Sequence, residues 1–292
     1  MMKQRNVAHI ITGRPASDGA GVKLTRLIGN GGLKAFDPFL MLDEFNSDNA
    51  DDYIAGFPSH PHRGFETVTY MLEGNMLHRD HMDNEGLLQS GDVQWMTAAR
   101  GIIHSEMPQQ VEGKMRGFQL WINLPAAEKM NDPHYKDIKS KDIPVVETKN
   151  ATVKVIAGEL TLPDDANHNA SSQNPIQGAV SGISTAPIYL DVALKAGEQF
   201  NLPVPAEHAV MVYVYEGSVT LGDKHINAQQ MAQTGNGDQL TIDNPTQHSS
   251  HFLVLAGKPL NEPIANWGPF VMNTPEQIEQ AVSDYRNGRL TE

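Results

Sequence analysis

Residues 57–74 read FPSHPHRGFETVTYMLEG, and residues 91–108 read GDVQWMTAARGIIHSEMP. In the first stretch Val68, Tyr70 and Leu72 fall on alternate positions, and Glu73-Gly74-Asn75 then supplies a turn. A period of two closed by turn residues is the signature of a strand entering a hairpin. Working outward, Phe118, Leu120, Ile122 and Leu124 alternate with Gln119, Trp121 and Asn123 in RGFQLWINLP. Ile188, Leu190, Val192 and Leu194 repeat the pattern, and Val210, Val212 and Val214 do so again. Gly-, Asp- and Asn-containing turns separate the runs, among them Ser90-Gly91-Asp92, Glu216-Gly217-Ser218 and Gly235-Asn236-Gly237-Asp238. An all-β sandwich or barrel follows.

VTYMLEGNM near residue 70 and VYVYEGSVTLG near residue 215 echo one another as strand, Glu-Gly turn, strand. Each precedes a Gly-Asp that enters a further strand, which suggests two copies of one β-barrel unit. The polar, Lys- and Asp-rich stretch 125–149 reads as a connection with one short helical turn. The expected division is 1–135, a linker at 136–150, and 151–292. Residues 161–187, rich in Asn, Ser, Gly and Pro, read as a loop inside the second unit. One helix is legible near the C-terminus: Thr274 as N-cap, Pro275 at the first helical position, Gln277 at capping-box spacing, then Ile278, Ala281, Val282 and Tyr285 as one stripe. Gly288 is a stop.

A chain of 292 residues can bury an ample core. Its 22 Lys and Arg against 35 Asp and Glu leave a net charge of -13, which repels phosphate backbones and argues against direct nucleic-acid binding. No apolar run approaches the roughly 20 residues that cross a bilayer, and the start lacks a secretory pattern. A cytoplasmic protein is the expectation. With no cysteine, disulfides, zinc–thiolate sites and cysteine nucleophiles are excluded. Any metal must therefore be held by histidine and carboxylate.

Two dyads offer such ligands. His60-Pro61-His62 precedes one strand-like run, and His104-Ser105-Glu106 follows WMTAARGII. Residues i and i+2 of an extended chain share a face, so each dyad presents two side chains together. Two such strands facing one another across a barrel would make an N3O site, suited to iron, manganese, nickel, copper or zinc. Glu66 competes for the carboxylate role, since strand parity places it on the face of His62. His78 and His81 read as surface groups or partners of a ligand. His208, His248 and His251 read as surface histidines of a metal-free second unit, and the Tyr213/Tyr215 alternation as packing. Arg63 and Arg100 flank the dyads, where they could steer an anion.

The runs FDPFLMLDEF, FPSHPHRGFETVTYMLEG, GDVQWMTAARGIIHSEMP and FQLWINLP, with the ending GKPLNEPIANWGPFVMNTPEQIEQAVSDYRNG, resemble the pirin family of the cupin superfamily over almost the whole chain. The resemblance implies a bicupin of two antiparallel, jelly-roll barrels with a C-terminal helix. It implies one metal, usually iron, held in the N-terminal barrel by His60, His62, His104 and Glu106. Glu66 then becomes a hydrogen-bond partner of a ligand imidazole, and Trp95, Met96, Phe118 and Gln119 line the pocket. Pirin-like proteins are associated with quercetin 2,3-dioxygenase activity, in which O2 cleaves a flavonol and releases carbon monoxide. Glu106 would act there as the general base. Animal pirins imply a second role, a metal-dependent regulator that works through a protein partner. A third reading leaves the metal a stabilising role alone.

Overall fold

The computed structural model describes residues 2–29, 36–162 and 175–292. Its chain forms two compact units: Arg14–Ser140 with Leu260–Glu292, called the first unit below, and Met1–Gly13 with Lys141–Pro259, the second. The divide falls inside the stretch expected to be a linker, but both chain ends belong with the opposite half. The reasons are local. Val7–Thr12 pairs antiparallel with Gln230–Thr234, and the C-terminal Ile278, Ala281 and Leu290 pack with Phe270, Met272 and Ile103. Nor is 136–150 only a linker. His134–Ile138 runs antiparallel to Val93–Thr97, and Val145–Glu147 to Ala151–Ala157. Both are outermost strands with most residues half or fully exposed, so their polar composition hides the strand period.

The first unit has a seven-stranded antiparallel sheet in the order His134–Ile138, Val93–Thr97, Phe65–Glu73, Met115–Asn123, Phe39–Ser47, Val22–Ile28, Arg14–Asp18. Its four-stranded sheet runs Phe57–His62, Ile102–Pro108, Met76–Asp80, Glu85–Leu88. The second unit repeats the plan: Val7–Thr12, Gln230–Thr234, Ala209–Glu216, Ser250–Gly257, Ile188–Leu194, Ala151–Ala157 and Val145–Glu147 in one sheet, and Gln199–Pro203, Gln239–Asp243, Ser218–Leu221 and Lys224–Asn227 in the other. The echoed Glu-Gly turns, Glu73-Gly74 and Glu216-Gly217, join matching strands of the two plans. Among the described residues the pairings leave these sheets open and do not close a hydrogen-bonded ring.

Alternation does what the sequence suggests. In the second unit Leu190, Val192, Val212 and Val254 meet Phe200 and Leu240 of the four-stranded sheet in one buried cluster. Of the 161–187 loop, residues 163–174 lie outside the described residues. Its later part contributes Ile176–Gln177, paired with Glu159–Leu160.

The helix is Pro275–Arg286. Thr274 Oγ1 accepts from the Gln277 amide at 3.3 Å, and Gln277 Oε1 accepts from the Thr274 amide at 3.1 Å, the expected capping box. Ile278 and Ala281 are buried, and Gly288 follows the end with φ +69°. The cluster they join includes Ile103, the neighbour of His104.

Candidate metal centre

Phe57–His62 is the outermost strand of the four-stranded sheet, where Pro58 and Pro61 cost the sheet little hydrogen bonding. Its partner is Ile102–Pro108, with His62 opposite Ile102 and His60 opposite His104. The two dyads therefore sit on hydrogen-bonded neighbours in one sheet. They do not face each other across the unit, as the spacing alone suggested. Between His104 and Glu106 the register slips, so that Glu106 faces Phe57. Such a bulge re-aims the side chain that follows it.

His60, His62 and His104 converge, with one ligand nitrogen from each lying within 4.8 Å of the others. Their ring centroids are 4.6, 4.4 and 4.9 Å apart. Glu106 is outside this group of three.

The hydrogen bonds set the tautomers. His60 Nδ1 is 2.8 Å from the Pro58 carbonyl, which can only accept. Nδ1 thus carries a proton, and Nε2 lies 2.9 Å from His62 Nε2. His104 Nδ1 lies 2.7 Å from His78 Nε2, while His104 Nε2 is buried without a hydrogen-bond partner. Burial, reinforced by neighbouring imidazoles, pushes His62 and His104 well below the usual histidine range. Burial also lowers His78. Imidazole nitrogens crowded together, with His62 Nδ1 and His104 Nε2 both buried without a partner, are the donor set that a divalent metal satisfies. His78, fully buried, would orient His104 by accepting its Nδ1–H. His81 lies farther out, accepting the Ile103 amide at 3.3 Å.

The buried Glu106 carboxylate is turned toward the other sheet, where Oε1 lies 3.0 Å from Thr69 Oγ1. Thr69 is also 2.6 Å from the Gln119 side-chain amide. Thr69 has a single hydroxyl proton for both neighbours. The nearest Gln119 atom is the acceptor Oε1, so the Thr69 proton is shared between Gln119 and Glu106. No signal in the linear pattern marks Thr69 for this role.

Glu66 is not where strand parity expects it. The chain leaves the four-stranded sheet at His62, turns through Gly64 at φ +93°, and enters the seven-stranded sheet at Phe65. Parity restarts there. Glu66 sits opposite Thr97 and Ile122, on the other face from Thr67 and Thr69. It accepts from Thr97 Oγ1 at 2.8 Å and has no imidazole hydrogen bond among the described residues, so it does not orient a ligand. Burial, only partly offset by Thr97, raises its carboxyl to about 7. A carboxyl whose value is raised by folding stabilises the fold fully below about pH 4.5, and the contribution is lost as pH climbs through about 7. The shift corresponds to about 3 kcal/mol at most. Glu66→Gln is expected to flatten this decline, read as unfolding free energy of metal-free protein between about pH 5 and pH 7.5. An unaltered decline would refute the assignment.

A cavity of about 1050 Å3 opens onto the imidazole cluster, with His60, His62, Glu106, Thr69, Gln119 and Trp121 in its wall. Trp121 lies against Phe65 at 4.4 Å and against His62 at 5.3 Å between centroids. Of the side chains expected to line the pocket, Gln119 does. Trp95 and Phe118 stand opposite Val68 and Tyr70, on the far face of the sheet. Met96 packs with Ala98, Ile102 and Tyr135.

Neither flanking arginine is placed to steer an anion. Arg63 is buried, paired with Asp284 at 2.7 Å and donating to the Arg100 and Leu290 carbonyls, which ties the His62 strand to the C-terminal helix. Arg100 pairs with Asp132. In the second unit, the strands matching Phe57–His62 and Ile102–Pro108 are Gln199–Pro203 and Gln239–Asp243, neither of which carries a histidine. His208 is buried by the unit and not on its surface, His248 is exposed and His251 is half-buried. Tyr213 is buried, and Tyr215 donates to Asp191 at 2.7 Å.

Residues 21–122 match the Pirin family model, and residues 189–291 match that of the Pirin C-terminal cupin domain. The chain is 53% identical to a Pseudomonas aeruginosa protein provisionally named a quercetin 2,3-dioxygenase, over 99% of each chain. It belongs to the pirin family. A solved quercetin 2,3-dioxygenase from Acinetobacter baumannii is 32% identical and superimposes with a TM-score of 0.86 over 99% of each chain. An Escherichia coli pirin solved with nickel(II) shares the fold, at 18% identity and a TM-score of 0.65 over 86% of this chain and 98% of its own. The first of this pirin's two units holds three converging imidazoles that could hold a metal ion.

Proposed function

We propose that the chain is a metal-dependent dioxygenase that cleaves flavonols such as quercetin with O2. The observation that carries this reading is the cavity of about 1050 Å3 that opens onto the converging imidazoles. A sealed site would favour the regulatory role through a protein partner or a purely stabilising metal, whereas this one has room for a fused-ring ligand. The first unit is read as the metal-binding barrel of a bicupin, the second as a metal-free barrel of the same jelly-roll plan.

His60, His62 and His104 are read as three ligands, with Glu106 completing the set by turning from Thr69. The donor set suits iron and equally admits manganese, nickel, copper or zinc. When bound, such a metal would supply Lewis acidity that makes the flavonol 3-hydroxyl easier to deprotonate. The residues do the rest. Glu106 takes the hydroxyl proton as general base. Trp121, braced by Phe65, offers a ring face to a flat ligand and keeps water off that side.

The test is an anaerobic, iron-loaded assay with quercetin, following flavonol absorbance and carbon monoxide after O2 is admitted. Metal-free and His62→Ala protein run alongside. Metal-dependent loss of flavonol with carbon monoxide release is expected. Metal retention without turnover would overturn the catalytic reading in favour of the regulatory one.

A further inference from the structure

The cavity wall carries a polar row of which the catalytic reading uses only Thr69. Thr69 stands opposite Gln119, Gln119 opposite Asp43, and Asp43 opposite Arg26, on four neighbouring strands of the seven-stranded sheet. Arg26 Nε and Nη2 grip both Asp43 oxygens at 2.7–3.2 Å, and Nη2 reaches Asp18 at 2.8 Å on the fifth strand. Among the described residues Arg26 Nη1 has no partner. All five side chains line the one cavity, and the row begins beside Glu106. At about 4.8 Å per strand, Thr69 to Arg26 spans about 14 Å.

Apolar side chains border the row on both sides. Trp121 stands opposite Met41 two register positions away, and Phe45 lies opposite Gly117 two positions away on the other side. A Cβ on Gly117 would meet the Phe45 ring at 2.5 Å, so glycine there lets the ring lie over the sheet. A polar line between apolar strips complements a flat molecule that is apolar on its faces and hydroxylated along one edge.

We infer that this row is the substrate-orienting element, in which Gln119, Asp43, Arg26 and Asp18 read the hydroxyl groups remote from the metal end of a neutral polyphenol. The inference rests on the flavonol reading above and adds the residues that set specificity. Two carboxylates share one guanidinium at the far end, so phenolic O–H groups find acceptors there, while an anionic group meets an excess of negative charge. Neutral polyphenols are therefore selected over acids of the same shape.

The test uses nickel-loaded protein under argon, titrated with three probes: quercetin, 3-hydroxyflavone, and quercetin sulfonated on the ring remote from the 3-hydroxyl. 3-Hydroxyflavone keeps the metal-binding end and lacks the remote hydroxyls. Wild-type protein is expected to bind quercetin about tenfold or more tightly over 3-hydroxyflavone and to reject the sulfonate by a similar factor. The double variant Arg26→Met/Asp43→Leu replaces both buried partners with apolar groups and leaves neither unpaired. It should bind the two neutral probes alike, with nickel stoichiometry and 3-hydroxyflavone affinity unchanged. Asp18→Asn should recover sulfonate binding by about threefold or more. Equal wild-type affinity for quercetin and 3-hydroxyflavone, or a preference that survives in the double variant, would overturn the row while leaving the metal end intact. No nickel-dependent binding of either flavonol would sink the flavonol reading and this inference together.

Discussion

His104→Ala protein is expected to lose tight metal retention, with affinity falling about 100-fold or more, since a four-donor site distributes some 10–16 kcal/mol over its ligands. His104 is the sharpest place to test the centre. Its Nε2 is buried without a partner, and His78 holds the opposite edge of the ring. Removing the imidazole deletes a donor and strands His78. A graded comparison separates ligation from a general effect on the fold. His78→Ala leaves every proposed ligand present but frees the His104 ring, and it should weaken metal binding by about 10–100-fold. Metal content of dialysed protein, read with the unfolding midpoint of the metal-free form, decides the matter. If His104→Ala keeps full metal stoichiometry, the histidine cluster is not the metal site.

Glu106→Gln is expected to lower flavonol turnover by about 100-fold or more with a much smaller loss of metal, because it removes a base and keeps a neutral oxygen donor of the same shape. The geometry gives the reason for this split. Glu106 lies outside the group of converging nitrogens and is bonded to Thr69, so it is the least committed of the proposed ligands. A residue that exchanges between a hydroxyl and a metal can also receive a proton. Turnover at saturating metal should therefore fall far more than metal affinity. Matching losses would reduce Glu106 to a plain ligand.

Much of this was legible in the linear sequence, for a physical reason. Alternation and turns are short-range, so the strands around Val68, Phe118, Ile188 and Val210 announce themselves, as does the capping box at Thr274. The histidine dyads are legible because i and i+2 share a face wherever the backbone is extended. What could not be read depends on contacts between distant segments. Parity carried Glu66 to the wrong face because it was counted through Gly64, where the chain changes sheets. The register slip before Glu106 needs knowledge of the partner strand. The row from Thr69 to Arg26 draws one residue from each of four strands, and nothing local links them. Arg63 reads as a group that could steer an anion until the C-terminal helix arrives with Asp284.

The crossing of the chain ends, seen above as a matter of which strand pairs with which, sets the order of events during synthesis. Every proposed metal ligand has been synthesised by residue 106, yet the unit that holds them includes Leu260–Glu292. At about 5–20 residues per second, the roughly 120 residues between Ser140 and Leu260 take on the order of ten seconds to make. Throughout that interval Ile103 and Arg63 lack the partners that brace the histidine strands. The nascent chain thus carries an unfinished site past the point where its neighbour unit can begin to fold. A message truncated before codon 260 yields a polypeptide with all the ligands and no completed cradle for the ion.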